Sequence, residues 1–157
     1  MPAWGRVFRM LTVVAALISH QGRLLVCQRR RGTTFALQWE FPGGKVRSGE
    51  TLAQALEREL EEELGASARI GEEVYRTRTH YRELPDQLEL IFLRAQLDPN
   101  AIRNLAFEQT QWVEPEKLTS MNFLPADREL VAKLASGTLH LKEWALPPPA
   151  KPAGFML

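Results

Sequence analysis

Residues 43–66 read GGKVRSGETLAQALERELEEELGA, a glycine-rich loop running into one short helix, and the rest of the chain is organised around them. Thr51 with Gln54 three positions on makes a capping box, and Leu52, Leu56, Leu60 and Leu64 recur at helical spacing. Gly65 is placed to close the end. Five of the seven residues from Glu57 to Glu63 are Glu. Like charges three and four apart on a helix cost roughly 0.2–0.5 kcal/mol per pair, so a cation is expected to offset them.

At about 100° per residue, with Glu59 at zero, Glu63 lies about 40° to one side and Glu62 about 60° to the other. The leucines span roughly 20° to 140° on the same scale, so three carboxylates adjoin the buried face. Glu57, Glu61 and Gln54 point to solvent. Arg58 sits on the rim beside Glu62, where a guanidinium can fix a carboxylate. Clustered carboxylates with no His or Cys nearby suit Mg²⁺, or Mn²⁺ as a substitute, before Zn²⁺. Gly43, Gly44, Lys45 and Gly49 offer backbone groups and an ammonium to an approaching anion. Together these read as a phosphate ester or anhydride site. A lone acidic helix would read as solvated surface, and the attached glycine loop reverses that balance.

Gly44, five residues, Glu50, seven residues, then Arg58-Glu59-Leu60, Glu62-Glu63 and Gly65 resemble the Nudix box of the Nudix hydrolases at every charged and glycine position. The one soft departure is Ala66, where the family usually has a larger aliphatic residue. The resemblance implies an α/β fold, an α/β/α sandwich with a mixed central sheet, the box helix on one side and a C-terminal helix on the other. It also implies metal-dependent hydrolysis of a nucleoside diphosphate linked to another group.

The chain has 157 residues, 45% hydrophobic and 25% charged, which bounds it to one globular domain with a full core. A net charge of +1 gives no case for a general nucleic-acid surface. The single Cys27 excludes an internal disulfide and fits a reducing, cytoplasmic location. Residues 10–18 (MLTVVAALI) follow two arginines, but nine residues are far too few to span a membrane and no cleavage site follows. They read as a buried strand that turns at Gln21-Gly22 into RLLVCQR. The arginines 29–31 read as solvated surface, with one of them facing substrate if a phosphate site lies close. Residues 37–42 form a short extended run whose Trp39 and Phe41 are core. Residues 73–81 and 87–97 read as antiparallel strands, 107–113 as a further strand, 114–118 as a helical turn and 125–135 as the last helix. His80 reads as structural. The domain is expected over residues 1–136, followed by a proline-rich tail over 137–157.

Within the family, WEFPGGK, EQTQWVEPEKL and LPADREL look like the MutT-like nucleoside triphosphate pyrophosphohydrolases. That resemblance, over about residues 10 to 136, implies metal coordination by Glu59, Glu62, Glu63 and the carbonyl of Gly43. It implies that Arg58 orients a carboxylate and that Glu50 joins loop to helix. Glu108 is the nearest match to a further carboxylate that binds metal or acts as base. For the nucleotide, Arg29 matches an arginine that touches it, Leu84 a side chain that packs on the base, and Asp127 a residue that reads the base edge. Taken as ionised, Asp127 only accepts hydrogen bonds and cannot reproduce an amide's mixed contacts, which argues against strict 8-oxoguanine selectivity.

The expected reaction is water attack at the β-phosphorus of a (d)NTP, giving the monophosphate and pyrophosphate, with Lys45 and Arg29 stabilising charge on the bridging oxygens. Glu59, Glu62 or Glu108 takes the proton, and the sequence does not choose among them. Oxidised dGTP and methylated or ordinary dCTP are candidate substrates. The small-molecule nucleotide is the one expected partner, with no stable nucleic acid or membrane. Two alternatives stand beside this reading: a Nudix hydrolase of an RNA 5′-triphosphate end or a nucleotide sugar, and a catalytically weak Nudix binding module.

Overall fold

A computed structural model of the chain describes residues 9–141. Its strands are β1 (Met10–His20), β2 (Arg23–Gln28), β3 (Trp39–Glu40), β4 (Gly43–Lys45), β5 (Ala68–Thr79), β6 (Gln87–Leu97) and β7 (Gln109–Val113). Helix α1 is Leu52–Leu64 and helix α2 is Arg128–Ser136.

The centre is β1, paired in parallel with β6 from Met10↔Gln87 to Ile18↔Ala95. Its far end turns back at Gln21-Gly22 into β2, antiparallel through Ser19↔Leu24. β5 runs antiparallel to β6 and forms one end of the order β3-β2-β1-β6-β5, while β4 pairs with β1 and β7 with β2. The sheet is therefore mixed. Its central strands read as apolar runs because both faces are covered.

Period-two alternation sorts their side chains into two cores. Val14, Ala16 and Ile18 of β1, Leu25 and Cys27 of β2, and Ile91, Leu93, Ala95 and Leu97 of β6 meet Ala55, Leu56, Leu60 and Leu64 of α1. Ala15 and Leu17, Leu24 and Val26, and Leu88, Leu90 and Phe92 face the other way and meet Leu130, Val131 and Leu134 of α2. One helix lies on each side of the sheet, as expected from the resemblance. Each fully buried leucine contributes about 1.5–3 kcal/mol relative to exposure, and this burial holds α1 against its own charge repulsion.

The limits of α1 match the sequence reading. Thr51 accepts from Gln54 N–H, the Gln54 side chain reaches back to Thr51 N–H, and Gly65 closes the helix in the left-handed conformation at φ 62°. Elsewhere the boundaries shift. β5 begins at Ala68, earlier than expected, and carries irregularities between Ile70 and Tyr75 that interrupt the alternation used to place it. The last strand starts at Gln109, leaving Phe107 and Glu108 ahead of it. The expected turn after it is a 3-10 helix over Pro115–Ser120. Instead of one helix over 125–135 there is a 3-10 turn, Pro125–Asp127, followed by α2. Past Gly137 the chain keeps packing, with Leu139 and Leu141 against the second core. The proline-rich stretch lies outside the described residues.

Candidate active site

The loop and α1 meet at two glycines. Gly43 has φ 158° and abuts β1 so closely that a Cβ there would overlap the Val14 carbonyl. A Cβ on Gly44 would overlap the carboxylate of Glu59. These positions need glycine because the backbone itself is the wall of the site.

Three glutamates of α1 have distinct settings. Glu63 is the inner one, accepting a 2.9 Å hydrogen bond from Gly43 N–H. Burial, then the charges of Glu59, Glu40 and Glu62, push its carboxyl up to about 9, with the Gly43 N–H pulling the other way. Glu59 is mostly buried and Glu62 half exposed, with side-chain exposures of 16% and 50%. Glu57 and Glu61 face solvent, as their helical angles require.

Arg58 does more than sit on a rim. Its Nε and Nη2 donate to both oxygens of Glu50 at 2.7 and 2.9 Å, and Nη2 also donates to the Lys45 carbonyl at 3.0 Å. Nη1 donates to Glu59 at 2.8 Å and Glu62 at 3.4 Å. The Glu50 side chain in turn accepts from Arg47 N–H at 2.7 Å, and these bonds, the one from Arg58 foremost, hold its carboxyl down at about 2. Glu50 thus ties loop to helix through one guanidinium, which the sequence reading assigned to it in outline.

Oxygen donors, a local excess of carboxylates and a backbone-lined wall are the chemistry of a hard divalent cation site. A cation beside Glu63 would relieve the crowding that keeps it protonated. Among the described residues, no three His, Cys, Asp or Glu side chains already converge on one point. Arg58 takes up oxygens of Glu59 and Glu62 instead.

The other expected site residues divide. Lys45 is exposed on the loop, beside the network through its carbonyl. Glu108 contacts Arg31 at 3.4 Å, and its N–H donates to Gln28. Those contacts tie it to the arginine cluster rather than to α1. Arg29 is committed within the protein: Nη1 pairs with Glu40 at 3.1 Å and Nε donates to the Thr34 carbonyl at 2.7 Å. Leu84 packs at the edge of the second core, on the turn that carries Tyr81. Asp127 ends the 3-10 turn with 2% exposure and makes no capping hydrogen bond with its side chain. Burial, then the charge of Glu40, pushes its carboxyl well above the usual range. That direction runs against the expectation of an ionised Asp127: were the carboxyl to hold its proton it could both donate and accept, as an amide does.

Glu40 is the residue the sequence reading missed. It lies between Trp39 and Phe41 of the core, and its charge acts on Glu63, Cys27, Tyr81 and Asp127 alike. Burial raises its carboxyl and Arg29 lowers it. A signal was present, since strand alternation turns Glu40 away from the face that buries its aromatic neighbours. A cavity of about 760 Å³ lies at the other end of β6, beside Gln96 and the end of α2, and contains none of these carboxylates.

Comparison with known proteins agrees with this architecture. The NUDIX domain model matches residues 8–134. The CTP pyrophosphohydrolase of Escherichia coli K12 is 39% identical over 126 residues, covering 78% of this chain and 90% of that protein. The 8-oxo-dGTP diphosphatase of Haemophilus influenzae is 34% identical over 131 residues, covering 83% and 95%. The solution structure of the E. coli ORF135 protein superposes with a TM-score of 0.72 at 32% identity, covering 82% of this chain and 91% of that one. The MutT protein of Methanosarcina mazei Go1 shares the fold at a TM-score of 0.73 and 21% identity, covering 83% and 96%. With two cores around a mixed sheet and an intact glycine loop and acidic helix, the chain belongs to the Nudix domain family.

Proposed function

We propose that the chain is a divalent-metal-dependent nucleoside triphosphate pyrophosphohydrolase that releases a nucleoside monophosphate and pyrophosphate. The observation that carries this reading is the crowding of Glu59, Glu62 and Glu63 against the Gly43-Gly44 wall, with Arg58 spread across Glu50, Glu59 and Glu62. Relatives that act on CTP and 8-oxo-dGTP support the substrate class.

Glu59, Glu62, Glu63 and the Gly43 carbonyl would hold Mg²⁺ or Mn²⁺. When bound, the cation supplies charge neutralisation for the triphosphate and acidifies water. Arg58 keeps Glu59 and Glu62 oriented, Glu50 fixes Arg58, and Lys45 faces the polyphosphate as a mobile positive charge. The proton goes to Glu59, Glu62 or Glu108, the first two held beside Glu63 by Arg58 and the third held by Arg31. Asp127 reads the base, Leu84 packs against it, and Arg29 acts by fixing Glu40 between the two regions. The free, fully buried Cys27 accords with a reducing, cytoplasmic location.

Product formation is to be followed with Mg²⁺ across CTP, dCTP, dGTP, 8-oxo-dGTP and a 5′-triphosphorylated RNA, as pyrophosphate, and with a nucleotide sugar, as nucleoside monophosphate and sugar phosphate. Hydrolysis of one or more free triphosphates at least about a hundredfold faster than RNA or sugar is expected. RNA as the best substrate, or no turnover of any of them, would refute the assignment.

A further inference from the structure

Tyr81 stands between the described carboxylates and the start of α2, and nothing in the family box accounts for it. Its ring is buried, and its hydroxyl oxygen accepts a 2.9 Å hydrogen bond from Ala126 N–H, 45 positions away. That N–H belongs to the Pro125–Asp127 turn, whose preceding residue, Leu124, offers no side-chain cap. The first N–H groups of a helical turn lack internal partners. Tyr81 therefore supplies from the β5–β6 turn what a cap would supply locally, one residue before Asp127.

The ring has its own support. Phe35 rests on it with centroids 4.8 Å apart and planes at 56°. Phe35 and Leu37 adopt φ 60° and 62°, the left-handed region that side chains rarely enter. Such strain persists where surrounding contacts over-determine it. Here Gln28 Nε2 and Arg29 Nε donate to the carbonyls of Leu37 and Thr34, and the backbones of Arg29, Leu37 and Gln38 bond to one another. The loop that holds Glu40 through Arg29 thus also presses Phe35 on Tyr81.

Burial pushes the phenol up to about 12, with the Ala126 N–H pulling the other way. The group stays an O–H. Its oxygen accepts from Ala126, so its proton remains free to donate to a second partner.

We propose that Tyr81 is a positioning residue for base selection: its hydroxyl holds the Pro125–Asp127 turn so that the Asp127 side chain meets the base at one fixed angle, with Phe35 bracing the ring. This rests on the reading of Asp127 as the group that faces the base. Tyr81 itself does not act on the reacting phosphates.

The test compares the full chain with Tyr81→Phe, Phe35→Leu, Asp127→Ala and the Tyr81→Phe/Asp127→Ala pair. On the best triphosphate, Tyr81→Phe is expected to raise KM about tenfold with kcat within about twofold. The spread of kcat/KM across CTP, dCTP, dGTP and 8-oxo-dGTP shrinks by a similar factor. Phe35→Leu shifts KM the same way by less. In the Asp127→Ala background, Tyr81→Phe changes KM less than about twofold, because the two act as one unit. Calorimetric affinities for CMP, GMP and AMP, which need no turnover, lose their differences in the same variant. They separate this inference from the assignment of the reaction, which fails alone if the parent discriminates monophosphates but releases no pyrophosphate. Equal loss on every nucleotide, unchanged selectivity, or effects that add in the double variant would overturn it.

Discussion

Replacing Glu62 by Gln is expected to lower the rate of pyrophosphate release by about 10²–10⁴-fold, the range for loss of a positioned proton acceptor or charge stabiliser. The fold should be untouched. Glu62 is half exposed, is not part of either core, and contacts only the guanidinium of Arg58 at 3.4 Å and that of Arg47 at 3.9 Å among the described ion pairs. Substitutions on such a surface shift stability by about 0.5 kcal/mol or less, so a urea midpoint close to the parent's accompanies the lost turnover. Turnover within about threefold of the parent would remove Glu62 from the chemistry. A large fall in the midpoint would instead make it structural.

The second large effect is on stability against pH. Glu63 titrates near 9 in the folded protein and near its ordinary 4.5 when unfolded. Between those values the folded state holds one more proton than the unfolded state. Stability is therefore full below about pH 4.5 and is lost as pH rises toward 9. Glu40 and Asp127 are raised as well and act in the same sense. Glu50 is depressed to about 2, so its opposite contribution falls below pH 4.5, outside this window. In EDTA, the free energy of unfolding should drop by several kcal/mol from pH 5 to pH 9. Glu63→Gln keeps an oxygen for the Gly43 N–H but has no proton to lose, so the slope should flatten. Mg²⁺ should restore more stability at pH 8 than at pH 6, since a cation favours the ionised carboxylate. A parent protein with level stability over this range, or a Glu63→Gln variant that keeps the full slope, would show that the cluster is not short of positive charge.

Much of this was legible in residues 43–66. The helix limits, the face shared by Glu59, Glu62 and Glu63, and the solvated Glu57 and Glu61 follow from 3.6-residue periodicity and local capping, which tertiary structure did not override here. The sheet was legible for a related reason: strands covered on both faces leave long apolar runs, and β1 and β6 are such runs. What the sequence hid depends on distant pairs. Arg29 matches a nucleotide-touching arginine by resemblance, and nothing local reveals that it also pairs with Glu40 eleven positions later. The burial of Asp127, at 2% exposure, is likewise not visible in its local sequence, where it reads as the start of a helix. In sequence Tyr81 reads simply as the end of a strand, since its partner Ala126 is 45 positions away. Residues 70–75 lost their strand pattern to register shifts that no local propensity encodes.

The most direct test of the proposed reaction is to hydrolyse CTP in water enriched in ¹⁸O with Mg²⁺ present and locate the label by mass spectrometry. The expected result is CMP and pyrophosphate as products, label in the pyrophosphate, and no reaction in EDTA. Label in CMP would move the attack to the α-phosphorus, and CDP with inorganic phosphate, or turnover without a divalent cation, would contradict a metal-dependent pyrophosphohydrolase built on Glu59, Glu62 and Glu63.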